Sequence, residues 1–286
     1  MNRPTIRLVS VVGTAHAALL GHLVRHYRDL GVEAFCLILH AESVADPGYV
    51  GLRDLCRDLG IVPFHTHLGR WSDLRLSRRL TEFAMTHHPD DWFVVTDADE
   101  FQVYDRPLAE LLRTAEALGA DHVNGCFLDR VTADGSLTGI TAEPLWRQYP
   151  LAGAVSAGIC RALPLKACIA RGGVELLLGN HATAVGTGVP RAESYVQVHH
   201  FKWTAAVVEQ MRRRLSFLEP GDSPGQHDAV INEARSALAH IDRGNGRIDT
   251  GDPSLRLAPC GSRYEDYPFW TEVADDAQGW SWTVTY

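Results

Sequence analysis

The stretch Trp92-Phe93-Val94-Val95-Thr96-Asp97-Ala98-Asp99-Glu100-Phe101 (WFVVTDADEF) sets three carboxylates within four residues, directly behind an apolar run. A short apolar run reads as a buried strand. Negative charge at its end is costly to desolvate unless a cation neutralises it. A metal ion is the first cation to consider.

Working upstream, the apolar pattern alternates between strand and helix. Residues 6–12 read as a strand and residues 15–30 as an amphipathic helix, with Leu19, Leu20, Leu23, Val24, Tyr27 and Leu30 at helical spacing and Gly31 as its stop. Residues 34–39 read as a second buried strand, 49–59 as a helix ended by Gly60, and 61–64 as a short strand. Residues 72–86 follow as a helix with Ser72 or Asp73 as N-cap and Pro89 just beyond its end. Residues 92–96 are then the fourth strand of a βαβαβαβ series, which implies a mostly parallel sheet covered on both faces. Such sheets bind ligands beyond the carboxyl ends of their strands. Asp97, Asp99 and Glu100 fall there, as do Thr14 after the first strand and His40, Glu42 and Ser43 after the second.

Downstream, a helix is expected over 108–118, a strand over 121–128, and a turn at Asp134-Gly135. Residues 144–188 show weaker periodicity and read as short strands and loops. Helices over 205–217, carrying Arg212-Arg213-Arg214, and over 229–241 precede an aromatic tail.

The bulk numbers narrow the function classes. A chain of 286 residues with 45% hydrophobic and 22% charged content is an ordinary soluble globular protein. A formal net charge of -8 gives no electrostatic footprint for nucleic acid, the arginine run apart. Cys36, Cys56, Cys126, Cys160, Cys168 and Cys260 show no CxxC spacing and sit mostly in apolar segments, so buried thiols in a reducing cytoplasm are expected. Residues 8–24 follow two arginines and include Ala15-His16-Ala17, which has the look of a signal-peptide cleavage box, yet their helical spacing marks a folded helix. No other segment approaches the length of a membrane span. Of the 27 basic residues only Lys166 and Lys202 are lysines, an arginine bias expected of a high-GC bacterial genome.

Two carboxylates one residue apart can both turn toward a divalent cation if the backbone bends, and hard oxygen ligands suit Mg²⁺ or Mn²⁺. Such an ion would bridge nucleotide phosphates and offset charge on a departing diphosphate. The bland alternative is a solvated acidic turn. Phosphatases with a nucleophilic Asp also start from DxD, but on the first strand and with a small or β-branched residue next; this motif lies on the fourth and reads DADEF.

From HYRDLGVEAFCLIL through DDWFVVTDADEF to VHHFKW, roughly residues 6–218, the sequence resembles the GT-A fold glycosyltransferases, in particular bacterial family 2-like members with a DxDEF motif. The resemblance implies an α/β, GT-A-like fold with a mostly parallel sheet flanked by helices. It divides the chain into a catalytic domain over 1–218, with a nucleotide-sugar half over 1–104 and an acceptor-side half over 105–218, and a C-terminal helical extension and tail over 219–286. It further implies a nucleoside diphosphate sugar donor, a small-molecule or glycan acceptor, and Mn²⁺ or Mg²⁺. Asp97 would approach the ribose or the metal, Asp99 would bind the metal, and Glu42 with Thr14 would lie near base and ribose. One departure is that many relatives carry an Asn-Glu pair after the first strand, where this chain has Gly13-Thr14-Ala15-His16.

A further metal ligand is expected from the C-terminal half. In Val198-His199-His200-Phe201-Lys202-Trp203 adjacent strand residues face opposite ways, so one histidine at most can reach an ion. His200 is the candidate because it precedes Phe-Lys-Trp much as in some related transferases; His181 is the rival. Lys202 and Lys166 are candidates for a diphosphate oxygen, an ammonium being a compact charge suited to it. An inverting transfer needs a general base beside the acceptor hydroxyl. Asp129, expected just after the strand HVNGCFL, is that candidate, and Arg75 and Arg78 lie on the helix before the motif. The expected function is a cytoplasmic, metal-dependent glycosyltransferase. The alternatives are a nucleotidyltransferase acting on a sugar phosphate and a non-catalytic nucleotide-sugar-binding protein.

Overall fold

The computed structural model describes residues 4–70, 79–80, 83, 86–217 and 224–280. The expected N-cap at Ser72 or Asp73, and Arg75 and Arg78, lie outside the described residues. The chain forms two compact units, each built from two segments: Met1–Gly125 with Leu165–Val198, and Cys126–Pro164 with His199–Tyr286. The contiguous division expected at residues 104 and 218 therefore does not match the way the chain partitions. No composition shift marks the boundaries, because two of them fall inside strands.

Unit 1 is an α/β unit whose sheet is mostly parallel. Strands β1 (Ile6–Gly13), β2 (Ala34–Ala41), β3 (His65–Leu68), β4 (Trp92–Val95) and β8 (Leu165–Arg171) lie in the order β8-β4-β1-β2-β3. The pairs β4-β1, β1-β2 and β2-β3 are parallel, and β4-β8 is antiparallel. The helices α1 (Ala17–Asp29), α2 (Pro47–Asp58) and α3 (Leu108–Ala117) complete the alternation. Helix α1 buries the stripe Leu19, Leu20, Leu23, Val24 and Tyr27, the face its spacing predicts. One core cluster gathers Val9, Val11, Ile38, Phe93, Val95 and Ala170 between strands and covering helix residues such as Leu80.

Three elements depart from the sequence reading. Strand β3 starts four residues later than expected, at His65, because Pro63 has no N–H to give and the ladder to β2 opens only with Phe64 N donating to Leu37 O at 3.1 Å. No strand was expected directly after the acidic motif, yet Glu100 opens β5 (Glu100–Val103), which pairs with β9 (Val196–His200). Within the region read as short strands and loops, β8 is a seven-residue strand lying directly against β4.

Strand β6 (His122–Val131) opens in unit 1, where Gly125 has no room for a side chain: a Cβ there would stand 2.2 Å from Val196 O. In unit 2 it continues into an antiparallel ribbon with β7 (Leu151–Gly153), which pairs in turn with β10 (Ala258–Pro259). Short helices α4 (Leu145–Gln148) and α5 (Val155–Cys160) flank it. The long helices α6 (Val207–Phe217) and α7 (Pro224–Arg243) pack on one another, and the aromatic tail contains a further helix, α8 (Trp270–Gly279). Val131, Val155, Trp203, Val207, Met211 and Ala237 form the core of this unit.

All six cysteines are buried thiols, as expected. Residues 8–24 are folded into β1 and α1. Among the described residues no helix is long and apolar enough to cross a membrane.

Candidate functional site

In unit 1 the backbone bends at the acidic motif. Strand β4 ends at Val95, and Glu100 N donates to Asp97 O at 3.1 Å, closing a turn with Ala98 and Asp99 at its corners before β5 begins. Glu100 Oε2 accepts from Asp97 N at 2.8 Å, so the side chain of the last turn residue fixes the first. Beneath the turn, Thr96 Oγ1 donates toward Glu100 O at 2.9 Å. From α1 the fully buried Tyr27 hydroxyl lies 3.1 Å from both Thr96 Oγ1 and Glu100 O and accepts from Gln102 N at 3.0 Å. Gln102 Nε2 donates to Val95 O and Cys168 O, tying β5 to β4 and β8. The turn thus rests on a buried polar network from four separate elements, which is the kind of support that holds a site in one geometry.

A cation is present in the turn, and it is Lys166. Its side chain is fully buried, with Nζ 2.8 Å from Glu100 Oε1 and 3.2 Å from Asp97 Oδ2. Burial pulls its pKa down, but Asp97 and Glu100 outweigh that and hold it above the ordinary lysine value, so it stays an ammonium. The sequence reading offered Lys166 to a diphosphate oxygen; the geometry commits it to Asp97 and Glu100 instead. Asp97 keeps its side chain 47% exposed, whereas Asp99 is 14% exposed and lies 3.9 Å from His16 Nε2.

Other predicted residues gather at the same carboxyl edge. Thr14 donates its hydroxyl to Asp46 Oδ2 at 3.1 Å, and Asp46 in turn caps α2 through Gly48 N. Thr14 is thus tied to a helix cap rather than left open for a ribose. His40 stacks on His67 and bonds Gly69 O, and burial lowers its pKa, so it is neutral near pH 7. Glu42 is exposed. His181 places Nδ1 2.6 Å from Leu165 O. A carbonyl only accepts, so Nδ1 carries a proton; in the neutral ring that leaves Nε2 as the nitrogen suited to bind a cation.

Unit 2 holds a second constellation around Asp129. This residue lies inside β6 rather than after the strand, and it is 1% exposed. Its carboxylate accepts from Ser156 N at 2.5 Å, Ser156 Oγ at 2.7 Å and Trp203 Nε1 at 3.1 Å. His200 Nδ1 lies 3.3 Å from Oδ1, a charge contact whose geometry does not make a hydrogen bond. Burial alone would raise the Asp129 pKa, but His200 and Ser156 lower it further than that, so the group is an anion. Asp129 is therefore not an open carboxylate beside an acceptor; it is a buried anion 3.3 Å from His200, whose side chain is 17% exposed. Its neighbour Arg130 points the other way and gives its guanidinium to Tyr149 O and Cys260 O, with burial pushing it down to about 10. No Asp129–Arg130 ion pair forms.

Lys202 is likewise engaged: its ammonium bonds Glu233 on α7, and Arg214 stands 3.5 Å from the same carboxylate. Burial would raise the Glu233 pKa, yet the two cations bring it down to about 2 from 4.5. The folded state therefore gains stability from this ion pair above pH 4.5 and loses it as pH falls toward 2, an amount of about 3 kcal/mol. Glu233→Gln is expected to be less stable than wild type at pH 7, by up to that amount, and to show a flatter stability profile between pH 5 and 3 in urea denaturation.

The sequence offered no signal for Tyr27, Gln102, Ser156 or Trp203 as supports, since each acts through partners distant in sequence. Among the described residues no three His, Cys, Asp or Glu side chains are grouped closely enough to enclose a metal ion. An open site needs less, because Mg²⁺-type ions are commonly held by one or two carboxylates with substrate phosphates and water completing the shell. Asp97 and Asp99 supply hard carboxylate oxygens of the type such an ion takes.

Compared with solved structures, the fold is similar to the crystal structure of S. aureus TarS 1-349, with a TM-score of 0.38 and 10% sequence identity, over 85% of this chain and 74% of that one. No family model matches the chain. No curated protein sequence matches it.

Proposed function

We propose that the protein is a metal-dependent glycosyltransferase of GT-A type that moves a sugar from a nucleoside diphosphate sugar to an acceptor hydroxyl on a small molecule or glycan. The observation that carries this reading is the acidic turn Asp97–Glu100, braced from below and set at the carboxyl end of a parallel strand, where open α/β sheets bind nucleotides. The six buried thiols favour a reducing, cytoplasmic setting.

In this reading Asp97 and Asp99 hold the cation with phosphate and water completing its shell, and His181, which is not grouped with them in this structure, joins them on binding. Its Nδ1 is fixed by the carbonyl of Leu165, the residue before Lys166, and it belongs to the same unit as the two aspartates. The bound cation would supply charge neutralisation to the departing diphosphate. His16, 3.9 Å from Asp99, helps fix that carboxylate. His200 then has no metal role; within unit 2 its Nε2 can take up a proton, with the Asp129 carboxylate, 3.3 Å from Nδ1, stabilising the imidazolium that forms.

Replacing the two histidines separately tests this division. His181→Ala is expected to weaken Mn²⁺ binding by about 10-fold or more with Mn²⁺ measured directly, and His200→Ala to leave Mn²⁺ binding intact while lowering kcat. The opposite pattern would return His200 to the metal and remove it as the proton acceptor.

A further inference from the structure

Glycosyl transfer as described gives Lys166 no task, yet its ammonium is the most deeply placed charge at the acidic turn, fully buried and in contact with Asp97 and Glu100. Three ionised carboxylates and one ammonium leave the turn with two negative charges rather than three. A positive charge beside a carboxylate ligand repels a second cation by the same Coulomb interaction through which an added carboxylate attracts one, and a buried charge is little screened by salt. Glu100 cannot compensate by turning outward, because Oε2 is held by Asp97 N.

We propose that Lys166 is a built-in counter-cation that keeps the acidic turn from retaining a divalent cation on its own, so that cation and diphosphate are taken up together. This rests on the nucleotide-sugar reading above. The negative charge of the diphosphate restores the balance that Lys166 removes, and by linkage each ligand then raises the affinity of the other by the same factor. An enzyme built this way releases the metal with the spent diphosphate instead of trapping it.

The test is titration of Mn²⁺ alone, and of Mn²⁺ with inorganic diphosphate, into the full chain, reading free Mn²⁺ by electron paramagnetic resonance. Neighbouring charges shift proton affinities by roughly 10- to 1000-fold. Lys166→Met is accordingly expected to bind Mn²⁺ alone at least about tenfold more tightly than wild type, with a smaller gain on adding diphosphate. The smaller gain on adding diphosphate is the readout that a merely structural lysine would not move. Glu100→Gln alters the balance the other way and is expected to bind Mn²⁺ alone more weakly; it serves also if Lys166→Met, which leaves Glu100 buried beside no ammonium, does not fold. Unchanged or weaker Mn²⁺ binding by folded Lys166→Met, or tighter binding by Glu100→Gln, overturns the proposal. Wild-type protein that binds neither Mn²⁺ nor diphosphate in any combination overturns the nucleotide-sugar reading as well, a result distinguishable from the first.

Discussion

Asp99→Ala is expected to abolish Mn²⁺-dependent binding of a nucleoside diphosphate, with a loss of at least about 100-fold. Groups that merely hydrogen-bond a metal ligand typically carry 10- to 100-fold in metal affinity, and Asp99 is proposed as a ligand itself. Its neighbours cannot take over. Glu100 is bound to Lys166 and to Asp97 N, and Asp97 already shares one oxygen with Lys166. The fold should survive, because Asp99 occupies a turn corner, where its side chain is not part of the apolar core. Calorimetry with and without Mn²⁺ separates the cases: unchanged Mn²⁺-dependent affinity would remove Asp99 from the metal, whereas equal loss with and without Mn²⁺ would point to a disturbed turn.

Asp129→Asn is expected to lower kcat by roughly 10²- to 10⁴-fold with little change in KM, the range over which a positioned proton-transfer group acts. The amide nearly preserves the shape, and its oxygen can still accept from Ser156 N or Trp203 Nε1. It removes the negative charge that stabilises a protonated His200, and it turns an NH₂ toward donors. Asp129→Ala is a poorer probe. It strips three donors of their acceptor in a site that is 1% exposed, at a cost of about 1–3 kcal/mol for each buried donor left unsatisfied. Normal turnover by a folded Asp129→Asn would show that the Asp129–His200 pair is architectural.

The parts of the fold visible in the sequence are those dictated by local pattern. Strands β1, β2 and β4 are unbroken apolar runs, α1 carries a periodic stripe, and the position of DADEF at a parallel strand's carboxyl end follows from counting that alternation. What escaped the reading depends on partners far along the chain. Strand β5 opens with Glu100, a residue that belongs in a buried strand only because Lys166, 66 positions away, neutralises it. The seven-residue length of β8 was hidden among weakly periodic short strands and loops, and its Lys166 is buried only because Asp97, 69 positions away, and Glu100 receive it. The same reciprocity misled the assignment of Asp129. Its place in the chain marked it as an open acid, while Ser156 and Trp203, 27 and 74 positions away, enclose it. The interleaving of the two units was hidden for a related reason. The chain changes unit within β6 and β9, where no linker composition signals a boundary.

A buried strand can end in three carboxylates because part of their charge is met within the fold: Lys166 and a main-chain hydrogen bond account for Glu100 and one oxygen of Asp97. The remaining charge, on Asp97 and Asp99, is what the proposed donor and its cation would meet.

The most direct measurement is the melting temperature of the wild-type protein against a panel of nucleoside diphosphate sugars, with Mn²⁺ and with chelator. A ligand at about 100 times its Kd stabilises the folded state by about 2.7 kcal/mol, a readily measured rise. At least one nucleoside diphosphate sugar is expected to raise Tm with Mn²⁺ present and to lose that effect with chelator. A panel in which no nucleoside diphosphate sugar raises Tm with Mn²⁺, or in which the rise is identical in chelator, would contradict a metal-dependent sugar-nucleotide site at Asp97–Glu100.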